Sequence, residues 1–90
     1  MSTENRVTPS EVARWMLAEL ERRGYLDRDL TVSSIEQIFG REFISENRLG
    51  TAIISGAVMK AFWRLAASSA VWDAKNRAWV KINPNEPQIV

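Results

Sequence analysis

The segment TPSEVARWMLAELERRG (residues 8–24) carries both ends of a helix in its own letters. Thr8 as N-cap, Pro9 at N1 and Glu11 at N3 form a capping box. Val12, Trp15, Met16 and Leu20 recur at helical spacing as one apolar stripe, with Ala13 and Leu17 beside it. Arg22 and Arg23 fall in the last turn, where the helix dipole favours cations. Gly24 supplies the left-handed residue beyond the end. The pattern predicts a helix over residues 9–23.

The rest of the chain is arranged around that helix. A second helix is expected over residues 29–39, with Asp27, Asp29 and Thr31 as alternative caps. Leu30, Ile35, Ile38 and Phe39 are its expected buried face, and Gly40 ends it. REFI (41–44) reads as a short strand. SENRLGT (45–51) is a turn with Asn47 and Gly50 as left-handed positions, and Ala52–Ile54 is extended again. Ser55 is the expected N-cap of a third helix running to Ala67. Val58, Met59, Phe62, Leu65 and Ala66 share its inner face, and Gly56, Lys60, Trp63, Arg64 and Ala67 the opposite one.

AVWDAKNRAWVKI (70–82) reads as a β-hairpin with a loop around residues 74–77, where Asn76 suits a left-handed conformation. Alternation then sorts the returning strand. Ala78, Val80 and Ile82 are expected in the core, locked there together with Trp72. Arg77, Trp79 and Lys81 are expected on the other face, with the alternative that Trp79 folds over the first helix and closes the edge of the core. The expected organisation is a disordered N-terminus (1–7), a single domain (8–83) and a flexible Pro-rich tail (84–90).

Several function classes are excluded by what the 90 residues lack. There is no cysteine, so disulfides and thiolate metal sites are out. There is no histidine, the commonest general base and metal ligand. The carboxylate pairs Asp27/Asp29 and Glu42/Glu46 have no base–nucleophile relay and do not match a calcium loop. No Gly-rich phosphate loop or nucleophile elbow is present. The expectation is therefore a non-enzymatic protein without metal or cofactor. The polar start MSTENRV lacks the apolar stretch of a signal peptide, and no apolar run approaches the ~18 residues of a membrane span. A cytoplasmic protein with no membrane contact is the simplest reading.

Three helices followed by a hairpin resemble a winged-helix domain. The fold expected is α+β and winged-helix-like, three helices with a short strand and a C-terminal β-hairpin. The segments GYL (24–26), IFGREFI (38–44), AIISGAVMKAFWRL (52–65), VW (71–72) and AWVKI (78–82) also resemble a family of short bacterial and phage proteins of no known activity. In that family the central segment reads Ala-Ile-Ser, two polar residues, then Val-Leu-Lys-Ala-Phe. Ser55, Val58, Lys60, Ala61 and Phe62 match it, Met59 replaces the leucine, and Gly56 and Ala57 replace the polar pair. A basic family position is Trp63 here. The resemblance implies a fold rather than an activity, in a bacterium or mobile element. Two features depart from a standard helix-turn-helix. Fourteen residues (41–54) separate Gly40 from Ser55 where about 3–4 form the usual turn. Only Tyr25–Leu26 is available for the strand that follows the first helix of a winged domain.

Charge is distributed unevenly along the chain. Residues 1–40 carry five Lys/Arg against seven Asp/Glu, whereas residues 41–82 carry seven against three. A basic second half suits a polyanion. The candidate surface comprises Arg48, Lys60, Trp63, Arg64, Lys75, Arg77, Trp79 and Lys81. Here cations would meet phosphates and the two indoles would stack or line a groove. A protein interface is the other reading. Trp, Met and Arg are enriched at interface centres, and an outward Trp63 suits a homodimer seam along the third helix and hairpin.

Overall fold

The computed structural model describes residues 7–82. The expected tail at 84–90, and residues 1–6 of the expected disordered start, lie outside them. Val7 lies inside, half-buried against the core. It occupies the N′ position from which an apolar residue staples to N4 of the helix that follows.

The elements run α1 (Pro9–Arg23), β1 (Tyr25–Asp27), α2 (Arg28–Ile38), a 3₁₀ turn (Arg41–Phe43), β2 (Ile44–Glu46), β3 (Ala52–Ile54), α3 (Gly56–Ala66), β4 (Ala70–Asp73) and β5 (Ala78–Lys81). The architecture is α+β. It comprises three helices, a three-stranded antiparallel sheet in the order β1-β5-β4, and a separate β2–β3 hairpin.

Helix α1 has the expected bounds. The Thr8 side chain accepts from the Glu11 amide, the Glu11 carboxylate accepts from the Thr8 amide, and Gly24 closes the helix at φ 86°. Val12, Ala13, Met16 and Leu20 are fully buried against the α3 residues Val58, Phe62 and Ala66 in one core. Trp15 sits at the border of the stripe, edge-on to Phe39 at 5.7 Å.

Helix α2 buries a face shifted from the expected one, keeping Ile35 and Phe39 but not Leu30 and Ile38. Thr31, Val32 and Ile35 are buried, while Leu30 is 63% and Ile38 57% exposed. Five residues turn a helix by about 500°, which leaves Ile35 about 140° from Leu30. Residues 31, 32, 35 and 39 instead fall within an arc of about 100°. Asp27 is the cap, accepting from the Leu30 amide at 3.1 Å. The expected strand at 41–44 is mostly a 3₁₀ turn, with the β2 strand beginning at Ile44. In the next turn Gly50 is left-handed, as expected, at φ 80°. Asn47 is not left-handed; its side-chain oxygen accepts from the Leu49 and Thr51 amides instead.

Strand β1 uses the short Tyr25–Asp27 segment and adds to β5, so β5 becomes the central strand. That placement exchanges the expected faces of Trp79 and Val80, while Ala78 is buried as expected, with 5% exposure. Trp79 pairs with Leu26 on one side and Trp72 on the other, and it is buried with 4% exposure. Trp72 lies on the same face but on the edge strand β4, and it keeps 38% exposure. Val80 faces away with Tyr25 and Val71, its partners across the ladder. Alternation in AWVKI has two possible phases, and a shift of one residue exchanges them. Trp79 takes the covered face, where a large indole removes far more apolar surface from water than valine. The left-handed residue in the 74–77 turn is Arg77 (φ 52°), not Asn76.

Candidate interaction surface

The three tryptophans near the hairpin belong to one aromatic chain. Ring centroids are 5.0 Å apart for Trp72 and Trp79, 5.8 Å for Trp79 and Phe62, and 5.6 Å for Phe62 and Trp63. Phe62 and Trp79 anchor the chain in the core. Trp72 and Trp63 form its two outer ends.

Between those ends lies an open groove of about 440 Å³. Ile53 and Ile54 come from β3, Met59 and Trp63 from α3, Trp72 and Trp79 from the hairpin, and Arg28 from the start of α2. Met59 and Trp63 are four residues apart, one turn of α3, which aligns them along the groove. The Arg28 Nε is buried without a hydrogen-bond partner. The Asp29 carboxylate stands 3.5 Å away, a loose ion pair rather than a hydrogen bond. The Arg28 backbone amide donates to the Arg77 carbonyl at 2.9 Å, tying the start of α2 to the hairpin turn.

The expected surface residues divide into three groups. Lys60 and Arg64 are exposed on α3, Arg48 on the β2–β3 turn, and Lys75 and Arg77 on the β4–β5 turn. None of the five forms an ion pair with a carboxylate of the described residues. Trp63, expected outside, is half-buried against the core and lines the groove. Trp79, expected either outside or closing the core's edge, is buried and forms the groove floor. Lys81 is occupied, because it shares the inner sheet face and reaches across to Glu21 of α1 at 2.8 Å.

Arg14 on α1, like those five cations, is exposed and without a carboxylate partner among the described residues. Arg22, Arg23, Arg28, Arg41 and Lys81 all have carboxylate partners. No acidic residue occurs from Asn47 through Trp72, so the stretch that builds the turn, β3, α3 and most of β4 has no internal anion. The N-terminus of α3 is also open. Ser55 makes no side-chain capping hydrogen bond, the first turn holds no acid, and nothing lies within 4 Å of where a Gly56 side chain would begin.

The hairpin turn is braced by Asp73, whose carboxylate accepts from the Asn76 side chain at 2.8 Å and from the Lys75 and Asn76 amides. These bonds, led by the Asn76 side chain, hold its pKa below the ordinary carboxylate value.

Arg28, Ile53, Met59 and Trp72 were missed as surface residues by sequence reasoning. One signal was available for Trp72. It and Trp79 are equidistant from the centre of a four-residue loop at 74–77, so they pair across the hairpin and share a face. Nothing local marks Arg28, which reaches the groove only because α2 starts beside the hairpin turn.

Among the described residues no group of three or more acidic side chains could hold a metal ion, and no helix is long and apolar enough to cross a membrane. The fold and surface are those of a small α+β domain. The chain belongs to a family of unknown function (DUF6953), whose model matches residues 8–81. No curated protein and no solved structure matches it.

Proposed function

We propose that the chain is a non-enzymatic binding module of winged-helix type that contacts nucleic acid along α3 and the β4–β5 hairpin, in the cytoplasm of a bacterium or of a mobile element's host. The observation that carries this reading is the set of five cations without carboxylate partners on the β2–β3 turn, α3 and the hairpin turn. On α1, Arg22 and Arg23 are drawn into ion pairs with Glu19, and Arg14 alone is left to solvent. Cations left to solvent on three neighbouring segments suit phosphates. The order α1-β1-α2-α3-β4-β5 with sheet order β1-β5-β4 supports the winged-helix reading. In it the β2–β3 hairpin is an insertion before α3, and β4–β5 is the wing. The open N-terminus of α3 adds free amides suited to a phosphate.

A salt series tests the proposal. Five phosphate contacts predict that log K falls against log salt with a slope of about −4.5 on duplex and about −3.5 on single strands. Absence of binding at low salt, or binding indifferent to salt, rejects it.

A second reading, a homodimer seam along α3 and the hairpin, is favoured by Val71 and Trp72, both exposed on the open edge strand β4. Light scattering on the wild type and on Trp63→Ser tests it. A wild type that stays monomeric at high concentration rejects the seam.

A further inference from the structure

We infer that the groove between β3, α3 and the hairpin takes unstacked nucleobases, so that the preferred ligand is single-stranded nucleic acid rather than an intact duplex. This rests on the nucleic-acid reading above and names the form of the ligand.

Three properties of the groove lead there. Its wall is aromatic and partly accessible: Trp72 is 38% exposed, and Trp63 and Met59 are half-exposed beside it. Every base has a π-face, so an indole binds bases without regard to sequence. Its volume of about 440 Å³ is that of a site for small planar groups. Bases inside a duplex are already stacked on each other and cannot enter; a single strand can turn them outward.

The charge pattern selects the same ligand. The groove is lined by one cation, Arg28, and by no carboxylate. Arg28 pairs only loosely with Asp29, at 3.5 Å, and its guanidinium plane is itself a stacking surface for a base. On α3, Lys60 and Arg64 lie one turn apart on the side next to the Met59–Trp63 flank. Lys75 and Arg77 lie at the turn of the hairpin that supplies Trp72 and Trp79. A strand can thus place bases in the groove while its phosphates follow cations on either side. A small organic acid would occupy the groove and leave those outer cations unused. An apolar peptide would leave the outer cations unanswered.

The test compares four probes on the unaltered protein at one low salt concentration: a 12-nucleotide DNA strand, the RNA of the same sequence, the blunt DNA duplex, and the DNA strand carrying abasic sites at its centre. Affinity is read by anisotropy and stacking by quenching of tryptophan fluorescence. The single strands should bind at least ~10-fold more tightly than the duplex and quench the indoles. Removing the bases while keeping the phosphates should weaken binding roughly 5- to 100-fold, the range for loss of one stacked base. Trp72→Ala should reproduce that loss for the intact strand, leave the duplex unchanged, and be largely rescued by Trp72→Phe. Lys60→Ala should weaken strand and duplex alike.

A duplex bound as tightly as the strand, or an abasic strand bound as tightly as the intact one, overturns the inference and leaves the nucleic-acid reading standing. No binding of any probe overturns both. A wild type whose mass rises with concentration, and whose assembly is lost in Trp72→Ala, places a second copy in the groove and also overturns the inference. If Trp72→Ala proves unfolded by circular dichroism, the abasic comparison decides alone, because it needs no variant.

Discussion

Helices α1 and α3 lie against each other and contribute equally apolar faces to one core, yet their ends and outer sides differ. Helix α1 has a complete capping box, a glycine stop, and a carboxylate at Glu19 shared by Arg22 and Arg23. Helix α3 has a serine that does not cap, no acid in its first turn, and two exposed cations without carboxylate partners among the described residues. On α1, two of the three arginines are paired within the chain, and only Arg14 is left to solvent. On α3, neither Lys60 nor Arg64 has a carboxylate partner among the described residues. The difference teaches that one packed pair can share a core while differing in how its ends and charges are satisfied, and the proposed binding face uses the less satisfied member.

The contrast is broken or sharpened most strongly in the core. Leu20→Ala in α1 and Phe62→Ala in α3 should each cost several kcal/mol, about 2–5 and about 3–5, measured by urea unfolding. A small loss for Phe62→Ala would mean that α3 is only loosely attached, and the shared core would be wrong. The hairpin supplies the next comparison. Trp79→Ala should cost about 3–5 kcal/mol, and Trp72→Ala about 2 kcal/mol or less, because the edge strand leaves Trp72 partly in water. Equal costs would erase the distinction between groove floor and groove rim.

Capping gives a smaller effect. Thr8→Ala should destabilise by about 1 kcal/mol, whereas Ser55→Ala should change stability by only a few tenths, since its hydroxyl makes no capping bond. A full capping penalty at Ser55 would show that α3 closes like α1. Charges come next. Glu19→Gln should cost about 0.2–1 kcal/mol, as its two arginine partners are largely solvent-exposed. Lys60→Ala should leave stability within about 0.5 kcal/mol and lower the salt slope of nucleic-acid binding by about one.

The smallest effect is at the hairpin turn. Because folding lowers the Asp73 pKa, its contribution to stability is present above the ordinary carboxylate pKa and is lost as pH falls through the lowered value. In an acid titration followed by NMR, the Lys75 and Asn76 amides should shift together, with a midpoint below that of a free carboxylate. A midpoint at or above it would show that the Asp73 hydrogen bonds do not form.

Much of the fold was legible where one element carried its own punctuation. The capping box, apolar stripe and Gly24 delimit α1 without help from any other segment, and the bounds of α3 and of the hairpin follow in the same way. Helix α2 was harder. Its apolar residues are spread over more than one face, and the burial of Thr31 and Val32 depended on what packed beneath them. The cations Arg48, Lys60, Arg64, Lys75 and Arg77 could be picked out as exposed from pattern and turn position. Lys81 could not be told apart from them, because its partner Glu21 lies on another element.

The AVWDAKNRAWVKI segment marks the boundary between the two kinds of information. Sequence alone determined that it is a hairpin turning at residues 74–77, since strand patterning and turn chemistry are local. It also carried a signal that Trp72 and Trp79 share a face, their equal distance from the turn, although the expected faces placed them apart. Only the tertiary structure decided which face that is. The answer came from β1, which pairs with β5 and makes it the central strand under the helices. A two-residue period has no preferred phase until something covers one side, and here the cover buries Trp79 and leaves Trp72 at the groove's rim.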